Sequence, residues 1–147
     1  MLCSQTSGSV LMLRVVLDPV VLLRGLLNPH SICSSLFSEY ADHFKVVVSK
    51  QIMRALILLC YHPILVARYP DLSEIDPRHA GRLLLRAEKV DLQADQHSNI
   101  FVATAIAAKA DYLVCEDQAL LALRQKVEIP IIDTRTFILL LETGSGP

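Results

Sequence analysis

Short apolar runs rich in β-branched residues alternate along this chain with segments whose apolar positions fall at helical spacing. Leu13 to Leu17 is the first such run. Asp18 ends it and Pro19 stops any ladder, so the pattern predicts a buried strand with a carboxylate at its carboxyl end. Val20 to Leu27 reads as a helix with Pro19 in its first turn, where a missing N–H costs nothing, and Gly25 and Asn28-Pro29 limit it. Ser31 is placed to cap a second helix reaching about Asp42. Phe44 to Val48 is a second buried strand. Ser49 then caps a helix with Ile52, Leu56, Leu59 and Cys60 on its apolar side, ended by His62-Pro63.

The second half continues the alternation. Pro63 to Pro77 reads as a short helix and a loop, and Asp76-Pro77 opens a helix to about Glu88 on Leu83, Leu84 and Ala87. A short extended piece follows at Val90-Asp91-Leu92. Asn99 to Lys109 is an Ala-rich helix with faces small enough to pack closely on a sheet. Tyr112 to Val114 is a third strand, a short helix runs through Leu120, Leu121 and Leu123, and Ile129 to Ile132 is a fourth strand. Thr134 caps the final helix, Phe137 to Leu141.

Strands that alternate with helices imply an α/β fold: a three-layer α/β/α sandwich with a central, mostly parallel sheet of four or five strands. Ligands in such sheets bind beyond the carboxyl ends of the strands. Two strands deliver an aspartate to that edge, Asp18 after the first and Asp117 after the third. The chain shows no internal repeat, Gly-rich phosphate loop or heptad run.

Composition narrows the function classes. With 147 residues the chain makes one domain with a core of its own, and 52% hydrophobic against 20% charged residues exclude a solvating linker. The expected division is a flexible leader over residues 1–11, a domain over 12–142 and a disordered tail over 143–147, with Met1 or Met12 as the start. A net charge of −1 supplies no long-range field for a polyanion, so contact with nucleic acid would need a local patch or bound metal ions. Cys3, Cys33, Cys60 and Cys115 form no C-x-x-C pair and read as small core residues of a reducing, cytoplasmic protein. The first ten residues lack the basic region of a secretory signal, and Arg14, Asp18 and Arg24 interrupt the first apolar stretch, so no membrane segment is predicted.

In order and spacing, several pieces resemble the PIN domain family, particularly its bacterial toxin-like branch from toxin–antitoxin pairs. The matching pieces are Val15-Val16-Leu17-Asp18, Gly25-Leu26-Leu27, Val47-Val48-Ser49, the run from Ala105 to Val114, Glu116 to Leu121, and Ile129 to Ile132. The resemblance covers roughly Leu13 to Glu142 and implies a single-strand endoribonuclease using Mg²⁺ or Mn²⁺. Hard divalent ions need oxygen ligands, which is why such sites cluster several carboxylates. Carried over position by position, Asp18 matches the first metal-binding aspartate and Asp117 the last. The glutamate of the helix after the second strand is replaced by Ala55, and the acid before the Ala-rich helix by Ser98. The Thr and Asn that follow the first aspartate are replaced by Pro19 and Val20 or Val21, and the Thr or Ser before the last by Cys115. Asp95, Ser98 and Glu116 are weaker candidates for the metal, with His97 beside them. The implied consequence is weak metal binding and little or no cleavage. The implied partners are RNA, an antitoxin protein and a second copy of the chain.

Each of these residues also has a plainer role. Asp18 and Asp117 can cap the helices that follow them, Glu116 can be a solvated surface acid, and Asp95 and His97 sit in a polar loop. His30, His43, His62 and His79 show no ligand spacing. Arg78, Arg82 and Arg86 recur at four-residue spacing, a row that pairs with acids such as Glu74 or Glu88, or else meets phosphates. The surplus leucines of Leu56-Leu58-Leu59 and Leu83-Leu84-Leu85 serve the core or a homodimer interface. The different-class reading is therefore a non-catalytic module of the same fold that binds RNA, an antitoxin or itself.

Overall fold

The computed structural model describes residues 12–27, 30–60, 62–63, 67, 87–92 and 99–143. The helix expected over 76–88 lies outside them up to residue 86, and its expected end is not helical, since Ala87 is a bend and Glu88 begins a strand. The arginine row, His79, Leu83 to Leu85, Asp95, His97, Ser98, the leader and the tail from 144 also lie outside. Five strands make one all-parallel sheet: β1 (Leu13–Leu17), β2 (Phe44–Ser49), β3 (Glu88–Val90), β4 (Tyr112–Val114) and β5 (Ile131–Ile132). Their order across the sheet is β3-β2-β1-β4-β5. Helices α1 (Pro19–Leu27), α2 (Lys50–Cys60), α3 (Ile100–Ala108), α4 (Gln118–Leu121) and α5 (Thr134–Glu142) complete the α/β/α sandwich, with a 3-10 helix at Ile32–Phe37. None of the described helices is long and apolar enough to cross a membrane.

Among the described residues the elements form close to where the apolar pattern places them, and the differences have local causes. After Ser31 the chain makes a 3-10 helix rather than an α-helix to Asp42. Ser34, Ser35 and Ser38 hydrogen-bond their hydroxyls back to the carbonyls of Ser31, Ile32 and Ser34, which favours the tighter turn. The last strand begins at Ile131, not Ile129, because Pro130 has no N–H to give a ladder. The third strand is Glu88–Val90, two residues earlier than the extended piece expected at Val90 to Leu92. Asp133, not Thr134, caps α5: its side chain accepts from the Thr136 amide, while Thr134 is the buried first residue of the helix. Asn99 caps α3 with both the Phe101 and Val102 amides, and Lys109 ends that helix in the left-handed conformation.

The core lies on both faces of the sheet. Val15, Val16, Val47, Leu113 and Val114 have essentially no exposed surface, and strands covered on both sides are what a continuous apolar run requires. Phe137 of α5 is fully buried and meets Phe44 edge-to-face at 5.1 Å and Tyr112 at 6.3 Å. On the other face the Ala-rich α3 packs on β1, β2 and β4. Arg14 ties the amino-terminal edge together: its side chain pairs with Glu88 and reaches the Ala108 carbonyl, while its amide donates to Asp111 at 2.8 Å.

Gly25 lets α1 press against the 3-10 helix. A Cβ there would overlap the Phe37 ring, lying 2.6 Å from its Cδ2, and would sit 3.1 Å from the Cys33 carbonyl. Alanine gains about 1 kcal/mol of helix propensity, but the ring must swing away and the carbonyl cannot follow. Gly25→Ala is therefore expected to lower stability by about 1–2 kcal/mol net in urea denaturation.

Candidate carboxylate site at the sheet edge

The strand order fixes where a site can form. The chain winds outward from β1 through β2 to β3, then returns to place β4 on the other side of β1. In such a sheet the reversal leaves a crevice beyond the carboxyl ends of the two central strands, here β1 and β4. Asp18 follows β1 directly and Asp117 lies three residues beyond the end of β4, so both predicted aspartates flank this switch point.

The two are joined through the backbone. The Asp18 amide donates to the Val114 carbonyl at 3.0 Å, which extends the β1–β4 ladder by one step. The Asp18 carboxylate then spans the end of that ladder. Its Oδ1 accepts the Val21 amide at 2.7 Å, and its Oδ2 accepts the amides of Glu116 at 3.0 Å and Asp117 at 3.1 Å. The side chain is wholly buried. Burial pushes the carboxyl up to about 6; the three amide donors oppose that rise, and the charge of Asp117 adds to it.

The neighbouring acids are similarly engaged. Asp117 is half-buried and caps α4 through Oδ1, which accepts the Ala119 amide at 2.8 Å. Glu116 is not the solvated surface acid that its position suggests. Its Oε2 accepts the Thr134 amide at 2.9 Å at the start of α5, and its Oε1 faces Arg24 of α1 at 3.7 Å. Asp133 caps α5, and the bonds it accepts from Thr136 hold its carboxyl below the usual range. Cys115 is buried between the strands, and burial with the nearby Asp18 charge pushes its thiol up to about 12. That leaves it protonated and unreactive at neutral pH. Cys33 is likewise buried, 3.7 Å from the Thr134 hydroxyl.

A hard divalent ion needs several unengaged oxygens around one point. Among the described residues no group of three or more His, Cys, Asp or Glu side chains is placed to hold a metal ion. Asp18 turns both oxygens to amide hydrogens, Oδ1 to one and Oδ2 to two, and their positive ends disfavour a cation beside them. Ala55 on α2 supplies no donor, and Ser98 and Asp95 lie outside the described residues. The residues described at this edge do not fit a strong Mg²⁺ or Mn²⁺ site.

Other buried polar groups lie nearby. Ser49 at the end of β2 shares a 2.8 Å hydrogen bond with Thr104 of α3, and both are buried. Ser49 was legible as a cap, and its hydroxyl does accept the Ile52 amide at 3.3 Å. The pairing with Thr104 had no sequence signal, because it depends on how α3 lies over β2. The Arg24–Glu116–Thr134 contacts join three separate elements and were equally hidden.

Comparison of the sequence with family models and with curated proteins gives no match in either.

Proposed function

We propose that this chain is a PIN-like protein of the toxin–antitoxin type, related to Mg²⁺-dependent single-strand endoribonucleases, in which RNA cleavage is weak or lost. The observation that carries the relationship is the meeting of Asp18 and Asp117 at the β1–β4 switch point, the place where a parallel sheet offers a ligand crevice. The loss is supported by the same edge. Ala55 stands where the resemblance implies a glutamate, and Glu116 is turned to α5 and Arg24. Metal binding at such an edge is weak, because Mg²⁺ keeps its waters unless carboxylates fix it.

Incubation with single-stranded RNA and Mg²⁺ or Mn²⁺ is expected to give no cleavage above the metal-only control. Robust turnover that Asp18→Ala or Asp117→Asn abolishes would defeat the loss and restore the enzyme.

One observation favours the second reading, a non-catalytic module of this fold that acts in the cytoplasm by binding RNA, an antitoxin or a second copy. Helix α2, which carries Ala55, also exposes Ile57 and Leu58, the latter at 71%. Exposed neighbouring apolar residues are a feature of association surfaces. A folded dimer by sedimentation, dispersed by Leu58→Asp, would support self-association.

A further inference from the structure

The structure assigns Asp18 to a structural strap: its buried carboxylate is the acceptor that holds the β4–α4 turn and the first turn of α1 onto the end of β1. This assignment does not rest on the PIN reading and differs from the ligand role that reading would give the same residue.

The argument starts from an accounting of polar atoms. A buried backbone N–H needs a partner. Beyond the ends of β1 and β4 the ladder no longer supplies one to Val21, Glu116 or Asp117, and Asp18 supplies it to all of them. Its own main chain is used as well, the amide on Val114 and the carbonyl on the Leu22 amide. Both carboxylate oxygens therefore accept from the protein's own backbone, on a side chain with no exposed surface.

The other acids of the edge repeat the arrangement. Glu116 accepts the Thr134 amide, Asp117 the Ala119 amide and Asp133 the Thr136 amide. These four carboxylates, of which Asp18, Asp117 and Glu116 are metal candidates in the sequence, thus serve main-chain donors at the starts of turns and helices. Asp18 differs from the rest in being fully buried and in joining two segments that are 98 residues apart in sequence. A cation drawn to Asp18 would have to displace amide hydrogens that have no alternative acceptor among their described partners.

Amide hydrogen exchange on the full chain at pH 7.5, read residue by residue by NMR, tests the assignment. In the native protein the amides of Val21, Glu116 and Asp117 are expected to be protected. Asp18→Ala should lower protection of all three by on the order of tenfold or more relative to the β1 and β4 amides. Asp18→Asn keeps one carbonyl oxygen, so it should retain protection on one side of the strap and lose it on the other. Asp117→Asn should leave Val21 and Glu116 protected. If Asp18→Ala does not fold, the asymmetric loss in Asp18→Asn decides the matter. Unprotected Glu116 and Asp117 amides in the native protein would overturn the strap, as would unchanged protection in Asp18→Asn. So would MnCl₂ that raises the melting temperature of the native protein but not of Asp18→Asn, because that result places Asp18 on a metal.

Discussion

Asp18→Ala is expected to cost this protein up to about 3 kcal/mol of stability at pH 7.5, and more at pH 4.5. The loss comes from the Val21 amide, which is buried, and the Glu116 and Asp117 amides, which are partly so, left without an acceptor at up to about 1–3 kcal/mol each. Water entering the vacated space would hold the figure to the lower half of that range. Against it stands a relief. The native carboxyl titrates at about 6 rather than at its ordinary value of 3.8 because burial disfavours its charge. Between those values the folded state keeps a proton that the unfolded chain releases. The contribution of Asp18 is therefore complete below about 3.8 and declines as pH rises through about 6, by up to about 3 kcal/mol. Removing the side chain removes that decline, so the penalty shrinks towards neutrality. Urea denaturation of both proteins at the two pH values checks this. A penalty that grows with pH would mean that the interactions favouring the ionised carboxylate, the amide donors or a bound cation, outweigh the burial that opposes it.

Phe137→Ala is the second large effect, a loss of about 3–5 kcal/mol, with the greater part from apolar contact and the cavity left behind. Phe137 has no exposed surface and sits edge-to-face on Phe44, with Tyr112 on its other side. Those two residues begin β2 and β4, so one ring on α5 secures the helix to strands on either side of β1. A loss of that size is a large share of the roughly 5–15 kcal/mol that holds a domain together. Leu139→Ala, two positions along the same helix but 55% exposed, should change stability by less than about 0.5 kcal/mol. Equal effects of the two substitutions would mean that α5 does not present Phe137 to the sheet.

Much of this architecture could be read from apolar periodicity. Leu13 to Leu17 and Phe44 to Val48 announce buried parallel strands because both faces must be covered, and the Ala-rich segment after Asn99 announces a helix that lies close to a sheet. Local chemistry blurred the boundaries. The serines after Ser31 compete for their own backbone, and Pro130 withholds the N–H that a strand from Ile129 would need. At the edge, the sequence could say that Asp18 and Asp117 follow strands, and parallel alternation could say that they share a rim. It could not say which way the oxygens turn. Capping and metal binding ask for the same residue type in the same place after a strand, and the distinction lies in the burial of Asp18 and in amides contributed from Glu116 and Asp117. Glu116 makes the same point, since its amide partner and its cation come from α5 and α1, elements that sequence spacing cannot bring to it.

The central claim is that Asp18, Glu116 and Asp117 at the β1–β4 switch point each give carboxylate oxygens to backbone amides and leave too few for a divalent ion. Calorimetric titration of MnCl₂ into the folded protein at pH 7.5 tests it most directly. The expected result is no saturable heat up to about millimolar metal, a level at which even weak extracellular-type Ca²⁺ modules begin to fill. One-to-one binding in the micromolar range, lost in both Asp18→Asn and Asp117→Asn while those variants stay folded, would contradict it.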